Sequence, residues 1–156
     1  MKRALAGAWA AAALLLGTPG TARADDIAVS VLAPYAVTAD AINEPLAGHR
    51  GDPARGQVLL GERHRSLCIL CHALPSGAAQ LQGTLAPSLA GIGSRLSEGQ
   101  IRLRLVDMKR LNPESIMPAY YSLHTGARTA QAWQNKPVLE AAEIEHLVAY
   151  LVTLKE

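Results

Sequence analysis

Cys68-Ile69-Leu70-Cys71-His72 is the stretch around which the chain is organised. Two thiols separated by two residues, with a histidine directly after, form the c-type haem attachment pattern. Each sulfur can add to one vinyl group of a haem, giving two thioether bonds. The tight loop between them places His72 under the iron, where one imidazole nitrogen can ligate it. The other nitrogen then needs a hydrogen-bond acceptor to fix the ring. Cys68 and Cys71 are the only cysteines in the chain. A four-cysteine zinc site is therefore excluded. A redox Cys-x-x-Cys would sit in a βαβ pattern, and none is visible. A disulfide between residues three apart closes too small a loop to stabilise much.

Upstream, the chain begins as a secretory leader. Lys2 and Arg3 precede an apolar run from Ala4 to Leu16, and Ala22-Arg23-Ala24 is an A-x-A cleavage site. The run is too short to span a bilayer. Cleavage after Ala24 predicts a mature chain of residues 25–156 without a membrane anchor. Covalent haem is attached outside the cytoplasm, so leader and motif agree on export, in a bacterium to the periplasm. Loss of Lys2, Arg3 and Arg23 turns a formal charge of +2 into 12 basic against 13 acidic side chains. That balance points away from nucleic acid and from a basic membrane patch. Phenylalanine is absent and aromatics are few. A buried haem and aliphatic residues both serve to fill such a core.

The mature chain has the length of one domain. Residues 25–51 carry few helix signals and read as an irregular extension that packs on the domain or on a partner; Asp26 to Leu32 alternates loosely. Residues 52–156 form the domain proper. Asp52 caps a helix that Pro53 opens and that is expected to reach about Arg65. Gly56 inside it costs about 1 kcal/mol relative to alanine, which a second helix crossing closely would explain. Residues 73–94 read as a loop. Ser97 and Gln100 have capping-box spacing. Ile101 to Leu105 alternates like a strand, while Ile101, Leu105 and Met108 fit a helix face, and the cap decides for helix. Arg102, Arg104, Lys109 and Arg110 predict a solvated basic face, or a docking surface for an acidic partner. Asn112-Pro113 through Met117-Pro118 is a proline-fixed loop. Ile144, Leu147, Val148, Leu151 and Leu154 form one face of a final helix. That helix lacks a good N-cap residue, and Tyr150 is placed to meet Gly56.

The iron's second axial position has six candidates: Met108, Met117, His49, His64, His124 and His146. His64 lies too near Cys68 to reach round the ring easily. His146 is expected on the surface of the last helix, and Met108 in the core as packing. Met117, between two prolines, can be presented at fixed geometry, and His/Met is a standard cytochrome c pair. Tyr120 and Tyr121 beside it are read either as an exposed partner face or as packing over the haem.

The order of a helix, the haem motif, a Pro-x-Leu-x-Gly loop, a methionine loop and a C-terminal helix resembles class I cytochrome c. This implies an all-α fold around one covalent haem c, with an irregular N-terminal extension. It also implies that the Pro87 carbonyl accepts from His72. The stretches Leu85-Ala86-Pro87-Ser88-Leu89-Ala90-Gly91-Ile92-Gly93-Ser94-Arg95-Leu96-Ser97, Asn112-Pro113-Glu114-Ser115-Ile116-Met117-Pro118-Ala119-Tyr120-Tyr121 and Lys136-Pro137-Val138-Leu139 resemble the SoxX family. Those proteins are the small monohaem subunits of sulfur-oxidising SoxAX cytochromes. The resemblance covers most of residues 40–155 and implies a SoxA partner. It also implies oxidative joining of thiosulfate to a cysteine of the carrier SoxYZ. The catalytic cysteine would lie on SoxA, and electrons would pass through this chain to a soluble cytochrome c. The alternative is a stand-alone periplasmic electron carrier with the same haem ligands.

Overall fold

Asp52 Oδ1 accepts from the backbone N–H groups of Ala54 and Arg55 at 2.9 and 3.2 Å. Helix α1 therefore starts where the cap predicts, and it runs over Pro53–Gly61. The structure is a computed structural model that describes residues 32–75, 81–124 and 129–155. The leader, its cleavage site and residues 25–31 lie outside the described residues. α1 ends at Gly61, short of the expected Arg65. The Ser66 hydroxyl donates to the Leu59 carbonyl at 2.6 Å, and the Glu62 carbonyl accepts from the Ser66 and Leu67 N–H groups. These bonds satisfy the orphan carbonyls of the last turn and turn the chain back towards Cys68.

Ile92–Arg95 is the short helix α2, and Glu98–Asp107 is α3. The capping box of α3 forms: Ser97 Oγ accepts from Gln100 N–H at 3.3 Å, and Gln100 Oε1 accepts from Ser97 N–H at 2.9 Å. α3 buries Ile101, Leu103, Leu105 and Val106, so helix wins over strand for Ile101 to Leu105. The final helix, α4, spans Ala141–Leu151 and buries Ile144, Leu147, Val148 and Leu151. Its missing cap is supplied from inside: Glu143 Oε2 accepts from Glu140 N–H at 2.8 Å.

α4 packs on both α1 and α3. Gly56 marks the α1–α4 crossing, because a Cβ there would run into the His146 carbonyl and Tyr150 Cβ. His146 is not on the open surface as expected. Its ring is half-buried, and Nδ1 accepts from Asp52 N–H at 2.9 Å.

Arg102 departs most from the sequence expectation. It is 2% exposed rather than solvated. Its Nε and Nη2 donate to Glu145 Oε1 and Oε2 at 2.7 and 2.9 Å, and Nη1 donates to Ile42 O at 2.7 Å. Glu145 Oε1 also accepts from Leu46 N–H at 2.9 Å. A planar fork with both carboxylate oxygens engaged makes burial of the pair tolerable. The pair joins α3 and α4 to residues 42–46 of the extension. That extension is irregular, with one isolated bridge between Thr38 and Ala41, a 3-10 turn at Leu46–Gly48, and Ile42 and Leu46 buried. Among the described residues no strand forms, and the fold is all-α. None of the described helices is long and apolar enough to cross a membrane.

Candidate functional site

Leu67 takes a left-handed conformation, φ 62°, and tips the chain into a 3-10 turn at Cys68–Leu70. The Cys68 carbonyl accepts from Cys71 and His72 N–H at 3.1 and 2.9 Å. The turn thus brings both thiols and the imidazole together. A second segment runs alongside: Gly83 N–H donates to Ile69 O at 2.8 Å, and Ala86 N–H to Cys71 O at 2.9 Å. Gly83 is required there, since a Cβ would strike the Leu70 carbonyl. Leu89 N–H donates to Ala73 O at 2.9 Å, which seats the Pro87 turn. His72 Nδ1 lies 2.7 Å from the Pro87 carbonyl. A carbonyl only accepts, so Nδ1 carries a proton, and in the neutral ring Nε2 then keeps its lone pair.

The methionine segment closes on α3. Tyr120 and Tyr121 N–H donate to Leu105 and Val106 carbonyls at 3.2 and 3.3 Å, and Leu139 N–H donates to Tyr120 O at 3.0 Å. Within the loop, Asn112 Oδ1 accepts from Glu114 N–H at 3.1 Å, and Ser115 Oγ from Met117 N–H at 3.2 Å. Met117 is half-buried and packs against the core. Met108, half-buried like Met117, is not the core residue expected, because it caps the C-terminal end of α3 outside the core cluster. His49, His64 and His124 are exposed.

Tyr120 and Tyr121 are not exposed, each having 3% of its surface free. The Tyr121 hydroxyl accepts from Ala33 N–H at 2.9 Å, and its ring lies 6.4 Å from that of Tyr35. Tyr120 is buried on the side of Cys68 instead. The two neighbouring rings thus face different parts of the chain, one the N-terminal extension and the other the motif. Burial pushes the Cys68 thiol up, and its neighbours Ser66 and Tyr120 draw it part of the way back. Burial, then the neighbouring Cys68, holds the Tyr120 hydroxyl far above the ordinary tyrosine range.

Sequence reasoning missed the burial of Tyr120 on the side of Cys68 and the Arg102–Glu145 pair. It also missed the clamp in which Arg65 binds the Glu143 carboxylate and, at 2.5 Å, the Val138 carbonyl. Glu143 raises the Arg65 pKa through this hydrogen bond. Nothing local in the sequence pairs these residues.

Among the described residues no group of three or more His, Cys, Asp or Glu could hold a bare metal ion. The available donors are two thiols, one imidazole nitrogen freed by the Pro87 contact, and a half-buried thioether. They suit a group that brings its own equatorial ligands to the iron, as a haem does.

A helical domain that sets a Cys-x-x-Cys-His turn beside packed terminal helices, with its histidine on a proline carbonyl, has the fold of a c-type cytochrome. It matches the crystal structure of SoxXA from P. pantotrophus with a TM-score of 0.72 and 31% sequence identity, over 78% of this chain and 95% of that one. The chain belongs to the SoxX family. No family model and no curated protein matches it.

Proposed function

We propose that this chain is the electron-transfer subunit of a SoxAX-type L-cysteine S-thiosulfotransferase in the periplasm. The match to 95% of a chain of SoxXA carries the reading. Cys68 and Cys71 would hold one haem c covalently, and His72 Nε2 and the Met117 sulfur would ligate its iron. The Pro87 carbonyl keeps the His72 ring oriented and its Nδ1 protonated. When bound, the haem supplies one-electron chemistry, with thioether ligation raising the potential. Residues 1–24 serve as the leader, 25–51 as an extension and 52–156 as the haem domain.

The partner is a SoxA-like subunit bearing the catalytic cysteine. There thiosulfate joins the SoxYZ carrier cysteine in a new sulfur–sulfur bond, releasing two electrons that leave through this chain to a soluble cytochrome c. Tyr120 and Tyr121, being buried, do not form the docking face for this partner.

Affinity capture from native periplasm, followed by haem staining and a thiosulfate-conjugation assay, tests the reading. A second cytochrome should co-purify, and only the pair should conjugate thiosulfate. A chain that purifies alone and carries electrons would instead be the stand-alone carrier.

A further inference from the structure

We infer that Arg65 is a positioning residue that couples the Cys-x-x-Cys-His turn to the methionine loop through the Val138–Leu139 peptide. The inference rests on Met117 being the iron ligand. One planar peptide unit serves both segments. Its carbonyl, on Val138, accepts from Arg65 Nη1 at 2.5 Å, and its N–H, on Leu139, donates to the Tyr120 carbonyl at 3.0 Å. Arg65 stands three residues before Cys68, and Tyr120 stands three residues after Met117. The other tethers of the loop, from Ser115 Oγ and Lys109 Nζ to the Met117 backbone, do not reach the turn.

Both ends of the bridge are held. Arg65 Nε and Nη2 donate to the two carboxylate oxygens of Glu143 in α4, Nε at 2.9 Å. This planar fork aims Nη1 at the Val138 carbonyl. Ser66, the next residue, is wholly buried, and its hydroxyl fixes the chain to Leu59 O. Leu139 is wholly buried as well, so its N–H has no water to turn to and needs Tyr120 O. A cation on the carbonyl also polarises the peptide and strengthens the bond its N–H makes. Pro118 stiffens the step from Tyr120 back to Met117. Arg65 thus favours the closed loop and slows departure of Met117 from the iron, touching neither iron nor substrate.

The test uses the haem-loaded protein, with its partner where one co-purifies, and follows displacement of the sixth ligand by imidazole in the oxidised state, well below the melting temperature. Arg65→Ala should retain the far-red sulfur-to-iron band yet bind imidazole about tenfold faster, the effect of one lost hydrogen bond in a partly exposed pair. Ser97→Ala, which loosens α3 without touching the bridge, should leave the rate within about twofold of the parent. Equal acceleration in both variants would show general loosening and overturns the coupling. An unchanged rate in Arg65→Ala, with the band abolished in Met117→Ala, overturns the coupling alone. A band that persists in Met117→Ala overturns the ligand reading and the coupling with it. If Arg65→Ala does not accumulate, Glu143→Gln takes its place. It keeps Arg65 but weakens the fork that aims it, and should bind imidazole about fourfold faster, since a neutral hydrogen bond is roughly half as strong as a charged one. A rate within about twofold of the parent in that variant overturns the coupling.

Discussion

The junction of α3, α4 and the N-terminal extension differs in kind from the two loops that carry the Cys-x-x-Cys-His motif and Met117. At the junction, Arg102 and Glu145 are almost wholly buried, and each spends several hydrogen bonds on the other and on the Leu46 and Ile42 backbone. At the loops, one or two bonds do the positioning: Pro87 for His72, and Ser115 and Lys109 for Met117. The difference suggests a division of labour. The helical junction supplies stability and holds three segments in one frame. The loops trade regular structure for placement of four donor side chains, and they need that frame because they cannot stabilise themselves.

Five variants test this division. The largest effect should come from Cys68→Ser with Cys71→Ser, which should abolish covalent haem on a denaturing gel. Haem extracting freely into acidified organic solvent from the unaltered protein would contradict the attachment. Met117→Ala comes next: it should remove the far-red band and lower the midpoint potential with little change in melting. Met108→Ala, at a half-exposed helix end, should keep the band and cost less than the about 2–5 kcal/mol of a fully buried site. Exchange of those two outcomes would move the ligand to Met108.

Glu145→Ala should do the opposite of Met117→Ala. It leaves Arg102 buried without its partner and should cost about 3–5 kcal/mol in denaturant unfolding. Below its melting point, the band should be unaltered. A loss of the band without a loss of stability would show that junction and loops are not separable. The smallest effect belongs to Ser97→Ala, which removes the α3 cap and should cost about 1 kcal/mol in thermal unfolding.

Much of the frame was legible because its signals are local. Asp52-Pro53, the Ser97–Gln100 box and the apolar spacing of Ile144 to Leu151 each act within a few residues, and each forms as read. Gly56 was legible too, since an interior helix glycine points to close approach, and Tyr150 meets it. The end of α1 was not legible, because it depends on a serine beyond the helix folding back onto Leu59 O.

The sequence by itself determined the Cys-x-x-Cys-His turn, the helical class and the faces of α3 and α4, because spacing along the chain dictates which side chains share a loop or a face. Only the tertiary structure decided where Arg102, His146 and the two tyrosines go. Arg102 looks solvated in any local reading, because burying a guanidinium is prohibitive until a carboxylate 43 residues away is placed against it. Tyr120 and Tyr121 look like an exposed pair until α3 and residue 139 fix their backbone and send one ring to Ala33 and the other to Cys68. In each case the deciding partner is distant in sequence, and its contribution exists only once the chain has folded.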